Sequence, residues 1–313
     1  MSRYFYLTIL FVLMLLTTGA YAVPVPDTTD TDDDTEGMFD DEDWGNWKRK
    51  KWNWDMDFDA WRGFDQPAIR ASYGLNRTSV KDFTTTFGDV RSLEARIGYV
   101  DVDPYRKNSY LVDYEFNYFN YYRGASSIDK RVSTGNEITA ELVRLGVGWE
   151  KGIGYRIGDA ALIPYTSYAI GWTKANIQNI PVAGISALES ERLNFYHDKY
   201  KFGVKTESGI ILQPIRNVSV SAAMEKSLIY PRILTWKMGG SYMVEGIGQH
   251  MIDEFMEKVI DNSPFVAPIL NVALKSALTY YLFEMRREEM NFPFEGVAPL
   301  YHEDFKLSVN FIF

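Results

Sequence analysis

A membrane-spanning antiparallel β-barrel is the fold class this sequence predicts, and three observations predict it. The end of the chain alternates: Phe305, Leu307, Val309, Phe311 and Phe313 fall on one side of a strand, with Lys306, Ser308 and Asn310 between them. The same period of two recurs from about residue 66 onward. Its runs span roughly 9–14 residues, which suits a tilted membrane strand better than the ~5–6 of a globular one. Finally, the first residues read as an export signal. An apolar terminal strand with an open edge invites aggregation, and closure into a barrel removes the edge.

At the start, Arg3 precedes an apolar stretch from Tyr4 to Leu16, and Ala20-Tyr21-Ala22 supplies a small-residue cleavage site. Residues 1–22 therefore read as a cleaved secretory signal peptide, because the apolar core is shorter than the ~20 residues a spanning helix needs. The formal net charge is −9, and loss of Arg3 with the signal makes it −10. An acidic exported chain is a poor partner for nucleic acid. The absence of Cys excludes a lipoprotein anchor, disulfides and a Cys-ligated metal. Tyr, at 21 residues, leads an aromatic content suited to the girdles at a membrane interface.

Residues 23–65 form a separate region. Asp27 to Asp43 carries ten carboxylates and no base, the composition of a solvated tail. Asp30, Asp32 and Asp34 resemble the opening of a calcium loop, but the Gly falls at 37 instead of 35, so no metal is assigned. Five of the eight Trp then lie between Trp44 and Trp61, interleaved with Lys48-Arg49-Lys50-Lys51, which suits a periplasmic or interfacial segment. Trp52 to Phe58 also alternates and stands as an alternative first strand.

From 66 to 313 the barrel pattern takes over. Ile69–Leu75, Leu93–Tyr99, Tyr110–Tyr118, Val143–Trp149, the run 162–174, Phe202–Leu212 and Val218–Met224 each alternate apolar with small or polar residues. Polar or Gly/Pro-bearing connections separate them. With 276–287 and 303–313 the count is odd. Barrels of this kind have an even number, so 232–240 is added, giving about ten strands with roughly eight to twelve allowed. This count puts a short helical insertion, about 242–275, on the side of the termini. There Val244, Ile247, Met251, Phe255, Val259 and Ile260 recur at helical spacing. Ser263-Pro264 reads as the start of a second helix, with Pro268 counting against its continuity.

The cleavable signal, the alternating strands and the aromatic C-terminus together resemble Gram-negative outer-membrane β-barrel proteins. That resemblance implies an outer-membrane location, contact with its lipid and lipopolysaccharide, and assembly by the barrel-assembly machinery through the terminal strand, with Phe313 as the assembly signal. The helical insertion then becomes a candidate site for a periplasmic partner. It leaves function open, because this architecture hosts pores, adhesins and enzymes.

Placing the apolar residues outward makes Arg70, Glu94, Arg96, Asp113, Glu115, Arg144, Lys205 and Glu207 the lumen-lining candidates. Mixed signs favour mutual pairing inside a small barrel over ion selectivity. The leading functional expectation is non-enzymatic: a narrow pore, or a surface-binding or structural protein. The alternative is a hydrolase of protease or lipase type on the external rim. Of the three His, His197 followed by Asp198 could supply the His-Asp half of the arrangement that outer-membrane proteases complete with paired carboxylates, His302-Glu303-Asp304 lies near another loop end, and His250 reads as a surface residue. No catalytic residue, metal or cofactor is assigned.

Overall fold

The alternation becomes a closed wall. A computed structural model describes residues 66–81, 83, 87–105, 110–125, 138–178, 186–294 and 296–313. The signal peptide and the acidic and Trp-rich region, 23–65, lie outside them. In β1 (Gln66–Val80) every second residue from Ala68 is buried, while Ile69, Tyr73 and Leu75 between them are exposed. The pattern repeats in β2 (Val90–Pro104), β3 (Leu111–Ala125), β4 (Thr139–Ile157) and β5 (Ala160–Gln178). It continues through β6 (Tyr200–Ile215), β7 (Val218–Ile229) and β8 (Leu300–Ile312).

Each strand pairs antiparallel with its sequence neighbour, and the ring closes where β8 meets β1, with Ile69 opposite Phe311 and Ala68 opposite Ile312. The backbone N–H of Phe313 adds a bond to the Pro67 carbonyl at 2.9 Å. The C-terminal strand therefore closes on the segment beginning near Ile69, while the alternative first strand, Trp52 to Phe58, lies outside the described residues.

The outward surface is apolar around the ring, with Leu93 and Ile97 on β2, Val147 and Trp149 on β4, and Phe305, Leu307 and Val309 on β8 all exposed. An outward apolar band around a polar interior is the architecture of an outer-membrane β-barrel. The two ends differ in the same sense. Near the termini the turns are short, 158–159 and 216–217 among them, and Gly158 takes φ +64° in the first. The longer connections, after β1, β3, β5 and β7, leave the barrel at the opposite end.

Eight strands close the barrel among the described residues, within the expected eight to twelve and two below the central count of ten. The two surplus segments are helical. Residues 232–240 lead into α2 (Thr235–Asn262), and 276–287 falls within α3 (Ala267–Glu288). The buried residues of α3 explain the misreading: Thr279, Leu282, Phe283 and Arg286 recur at helical spacing, although the surrounding apolar run also accommodates alternation. Pro268 sits in the first turn of α3, where its missing N–H costs no helical bond, so this helix starts later than Ser263-Pro264 suggested.

Removing strands also moves the insertion. It leaves the barrel after Ile229 and returns at Leu300, at the end opposite the termini, which corrects its expected side. The α2–α3 hairpin does not enter the lumen. It lies along the outer wall, where the outward Tyr168 of β5 bonds Gln249 and Thr279, and Ser276 bonds Ser208 of β6 at 2.8 Å. Its tip reaches back to the terminus end, where the Tyr155 hydroxyl donates to the Phe265 carbonyl at 2.5 Å.

Candidate functional site

An eight-stranded barrel has an interior just wide enough for side chains, so whatever alternation turns inward must fill that space and satisfy itself there. The inward positions bring Arg70, Arg96, Arg144, Lys205 and Lys306 against Glu94, Glu150, Glu207 and Glu225, all buried, with Asp304 as a fifth carboxylate. Buried charges are tolerable only when paired and hydrogen-bonded. These are both.

Arg96 binds Glu94 at 2.8 Å and also reaches Glu150 and Glu207. Arg70 makes a two-oxygen contact with Glu150 at 2.8 and 3.0 Å and donates to the Tyr114 hydroxyl at 2.9 Å. Lys205 bridges Glu94 at 2.7 Å and Glu225 at 3.1 Å, while Lys306 bridges the same two carboxylates from β8. Arg144 completes the ring on Glu225 at 2.6 Å. Tyr165 donates to Glu207 at 2.6 Å and Asn120 to Glu94 at 3.0 Å.

Aromatic rings fill the space between the charged heads. The guanidinium of Arg96 lies 4.8 Å from the centre of the Tyr118 ring, and that of Arg144 lies 4.4 Å from Tyr122. Gly148 on β4 makes room for one of them: a Cβ there would stand 2.6 Å from the Tyr118 ring.

Apolar layers close the network at both ends. Toward the termini these include Val100, Val112, Ile163, Ile211 and Ile312. Toward the long loops, Phe87, Ile138, Leu142, Ile177 and Leu300 pack with Leu193 and Tyr196. The last two come from and follow α1 (Ala187–Asn194), a helix started by a capping box in which Ser186 and Glu189 satisfy each other's backbone N–H groups. Burial pushes the Tyr196 phenol up, and its oxygen accepts from the Leu300 N–H at 3.1 Å. Beside Asn120, Arg144 and Lys205 lies a cavity of about 10 Å³, room for about one water.

Six of the eight lumen candidates, Arg70, Glu94, Arg96, Arg144, Lys205 and Glu207, converge in this network. Asp113 and Glu115 do not. On β3 it is Tyr114, Phe116, Tyr118 and Tyr122 that turn inward, while Asp113 is exposed outside and Glu115 pairs with Lys151 at 3.5 Å on the outer wall. The expectation put aromatic rings toward lipid; here the rings supply volume and π-faces for buried guanidinium groups. Glu150, Glu225 and Lys306 were missed as site residues. Extending the parity of Arg144, Gly146 and Gly148 by one step reaches Glu150, and the polar faces of β7 and β8 already held Glu225 and Lys306.

Carboxylate oxygens of Glu94, Glu207 and Glu225 lie within 4.8 Å of one another, a grouping that could in principle hold a metal. Arg96, Lys205 and Lys306 already occupy those oxygens, so the charge that would draw an ion is matched by the chain itself.

The two residues of the candidate catalytic pair are each held by another group. His197 Nδ1 accepts from the Ile177 backbone N–H at 3.1 Å, and Asp198 is held by Lys174 at 2.7 Å. His302, Glu303 and Asp304 alternate faces. His302 is buried in the lumen between Thr78 and Tyr122, Glu303 contacts Lys226 outside, and Asp304 accepts from Ser92 inside. His250 is exposed on α2, beside Glu254 at 3.4 Å.

No family model matches this chain, and no curated protein does. Among solved structures, the chain is similar to Neisserial surface protein A (NspA), with 10% identity, a TM-score of 0.38, and 79% of this chain and 97% of that one covered. It is also similar to Ail, the attachment invasion locus protein of Yersinia pestis, with 8% identity, a TM-score of 0.28 and coverage of 79% and 98%. Ail in complex with the heparin analogue sucrose octasulfate matches at 10% identity, a TM-score of 0.29 and the same coverage.

Proposed function

We propose that this chain is a closed, non-enzymatic barrel of a Gram-negative outer membrane, whose work is done by its external surface and not by passage through its lumen. The observation that carries the reading is the filled interior. Opposed charges bond across the whole cross-section, and apolar layers seal the network above and below. A selective pore presents its charged groups to a continuous water path; here the same groups are spent on each other. A structural and surface-binding role therefore fits better than a narrow pore. The sequence of residues 1–22 supports export through a cleaved signal, and the terminal strand ending at Phe313 supports recognition by the barrel-assembly machinery. Membrane lipid and lipopolysaccharide are the partners the outward apolar band fits. A periplasmic partner at the helical insertion would have only the tip around Phe265 to meet, since that is the part lying at the terminus end.

Single-channel recording across a planar bilayer tests the reading. The purified protein is expected to insert without conductance steps, while steady unitary steps would overturn the closed-lumen proposal. A rim hydrolase has little support, because His197 and Asp198 are each engaged with other groups.

A further inference from the structure

Between α3 and the outer wall runs a groove of about 410 Å³ that the lumen network does not use. Ile210 of β6, Ala222 and Met224 of β7, and Phe305 of β8 form its wall side, and Ile269 and Val272 of α3 form the other. Ala222 opens the floor, because its outward neighbours along β7, Val220 and Met224, are larger.

Among the described residues the surface around this groove is apolar and uncovered. Ile210, Met224, Phe305 and Ile269 are 54%, 51%, 47% and 58% exposed. From Lys226 down to the turn at Arg216 the outward positions of β6, β7 and β8 carry no charge. The charges appear where this stretch stops: Lys226 pairs with Glu284 of α3 at 3.0 Å and with Glu303 at 3.4 Å. Lys275, the charge on α3 closest in sequence to Val272, is turned to Asp253 of α2 at 2.6 Å.

We propose that this groove holds an acyl chain of a membrane lipid, clasped between α3 and the wall of β6–β8. The inference rests on the membrane reading above and adds a specific site to it. Two features favour a lipid chain over a protein segment. A peptide would bring backbone N–H and C=O groups needing partners. The polar side-chain atoms lining the groove are those of Ser208, whose hydroxyl is already bonded to Ser276. An acyl chain needs none. The groove is also continuous with the exposed outer face of β8, where Phe305, Leu307 and Val309 follow one another, so lipid in contact with the wall reaches it without crossing a polar rim.

The test uses the full protein in phosphatidylethanolamine and phosphatidylglycerol vesicles containing a phospholipid with a photoactivatable diazirine at mid-chain, with adducts mapped by peptide mass spectrometry. Adducts are expected to concentrate at 222–224 and 269–272, with weaker labelling of the bare wall at Leu93 and Ile97. Filling the groove with Ala222→Trp should remove the first set and leave the second. A heat-modifiability gel checks that this variant folds, and Val272→Trp fills the same space from the helix if it does not. Labelling spread evenly and indifferent to the filling variants would overturn the proposal, since the groove would then see only bulk lipid. Adducts at Leu93 and Ile97 with none in the groove would overturn it too, because protein would be covering the site. Absence of labelling anywhere on the wall would instead remove the membrane reading itself, and the proposal with it.

Discussion

Arg96 on β2 and Glu207 on β6 bond to each other from opposite sides of the eight-strand ring. A single side-chain pair thus spans the lumen, tying strands that share no backbone hydrogen bond. Lys205 and Glu94 repeat the connection between the same two strands in the reverse sense, at 2.7 Å. The barrel is braced across its width as well as around its circumference.

Truncating one member of that brace should be costly. Arg96→Met leaves Glu94, Glu150 and Glu207 short of a shared cation in a dry interior, and one-sided removal of a buried ion-pair partner costs about 3–5 kcal/mol. The expected result is a lowered urea midpoint for the barrel in detergent. Adding Glu207→Met should recover part of the loss, because one of the stranded carboxylates is then gone. A double variant weaker than the single one would contradict the cross-lumen account.

Gly148 tests the packing half of the same design. Its inward position is occupied by the Tyr118 ring, which stacks on Arg96 and bonds Ser167 at 2.9 Å. Gly148→Val forces that ring aside, and overpacking of this kind costs about 1–3 kcal/mol. Thermal unfolding should show a clear loss. An unchanged midpoint would mean the ring has room that the geometry denies.

What the sequence made legible follows parity. A period of two fixes which residues share a face, so Arg70, Glu94, Arg96, Arg144, Lys205 and Glu207 could be grouped without coordinates. It does not say which face is inside. For most strands the apolar set faces out, but β3 inverts the rule because Tyr114, Phe116 and Tyr118 serve as lumen filler, and Gly148, which accommodates Tyr118, lies on a different strand. The helical insertion expected at about 242–275 is present, but its flanks, 232–240 and 276–287, read as strands for a related reason. The run 276–287 is apolar on so many sides that both periods fit it, and distant partners such as Glu245 for Arg286 and Lys226 for Glu284 select one. Long-range partners of this kind leave no local trace.

The first of these pairings carries its own prediction. Arg286 is buried against Glu245 and donates to the Ser241 carbonyl at 2.8 Å, joining the long-loop ends of α2 and α3. Arg286→Met should strand Glu245 and loosen the hairpin, while the lumen network, which contains neither residue, stays intact. Hydrogen exchange should therefore lose protection in 235–288 and keep it in the eight strands. A uniform loss would mean the hairpin and barrel unfold as one unit.

A pH effect is expected at the rim. The hydrogen bond from Lys174 holds the Asp198 carboxyl below its usual range. A group whose folded value is depressed stabilises above its unfolded value, ~3.9, and loses that contribution as pH falls through the folded one. The segment 196–199 should stay ordered at neutral pH and begin to open below about pH 4. Both partners are solvent-exposed, so the effect is local. Lys174→Met should raise the pH at which exchange at these amides accelerates, and an identical profile would remove Asp198 as the titrating group.

Phe313 separates assembly from stability. Its side chain is exposed, and the contact that fastens its backbone, the N–H bond to the Pro67 carbonyl, survives substitution. Phe313→Ala should therefore change the unfolding free energy of refolded protein by about 1 kcal/mol or less, in line with exposed sites that hold no special contact. If the terminal aromatic is read by the assembly machinery, the folded, heat-modifiable fraction in cell membranes should fall sharply for the same variant. Losing both quantities in proportion would make Phe313 a structural residue. Losing neither would leave recognition to the rest of β8.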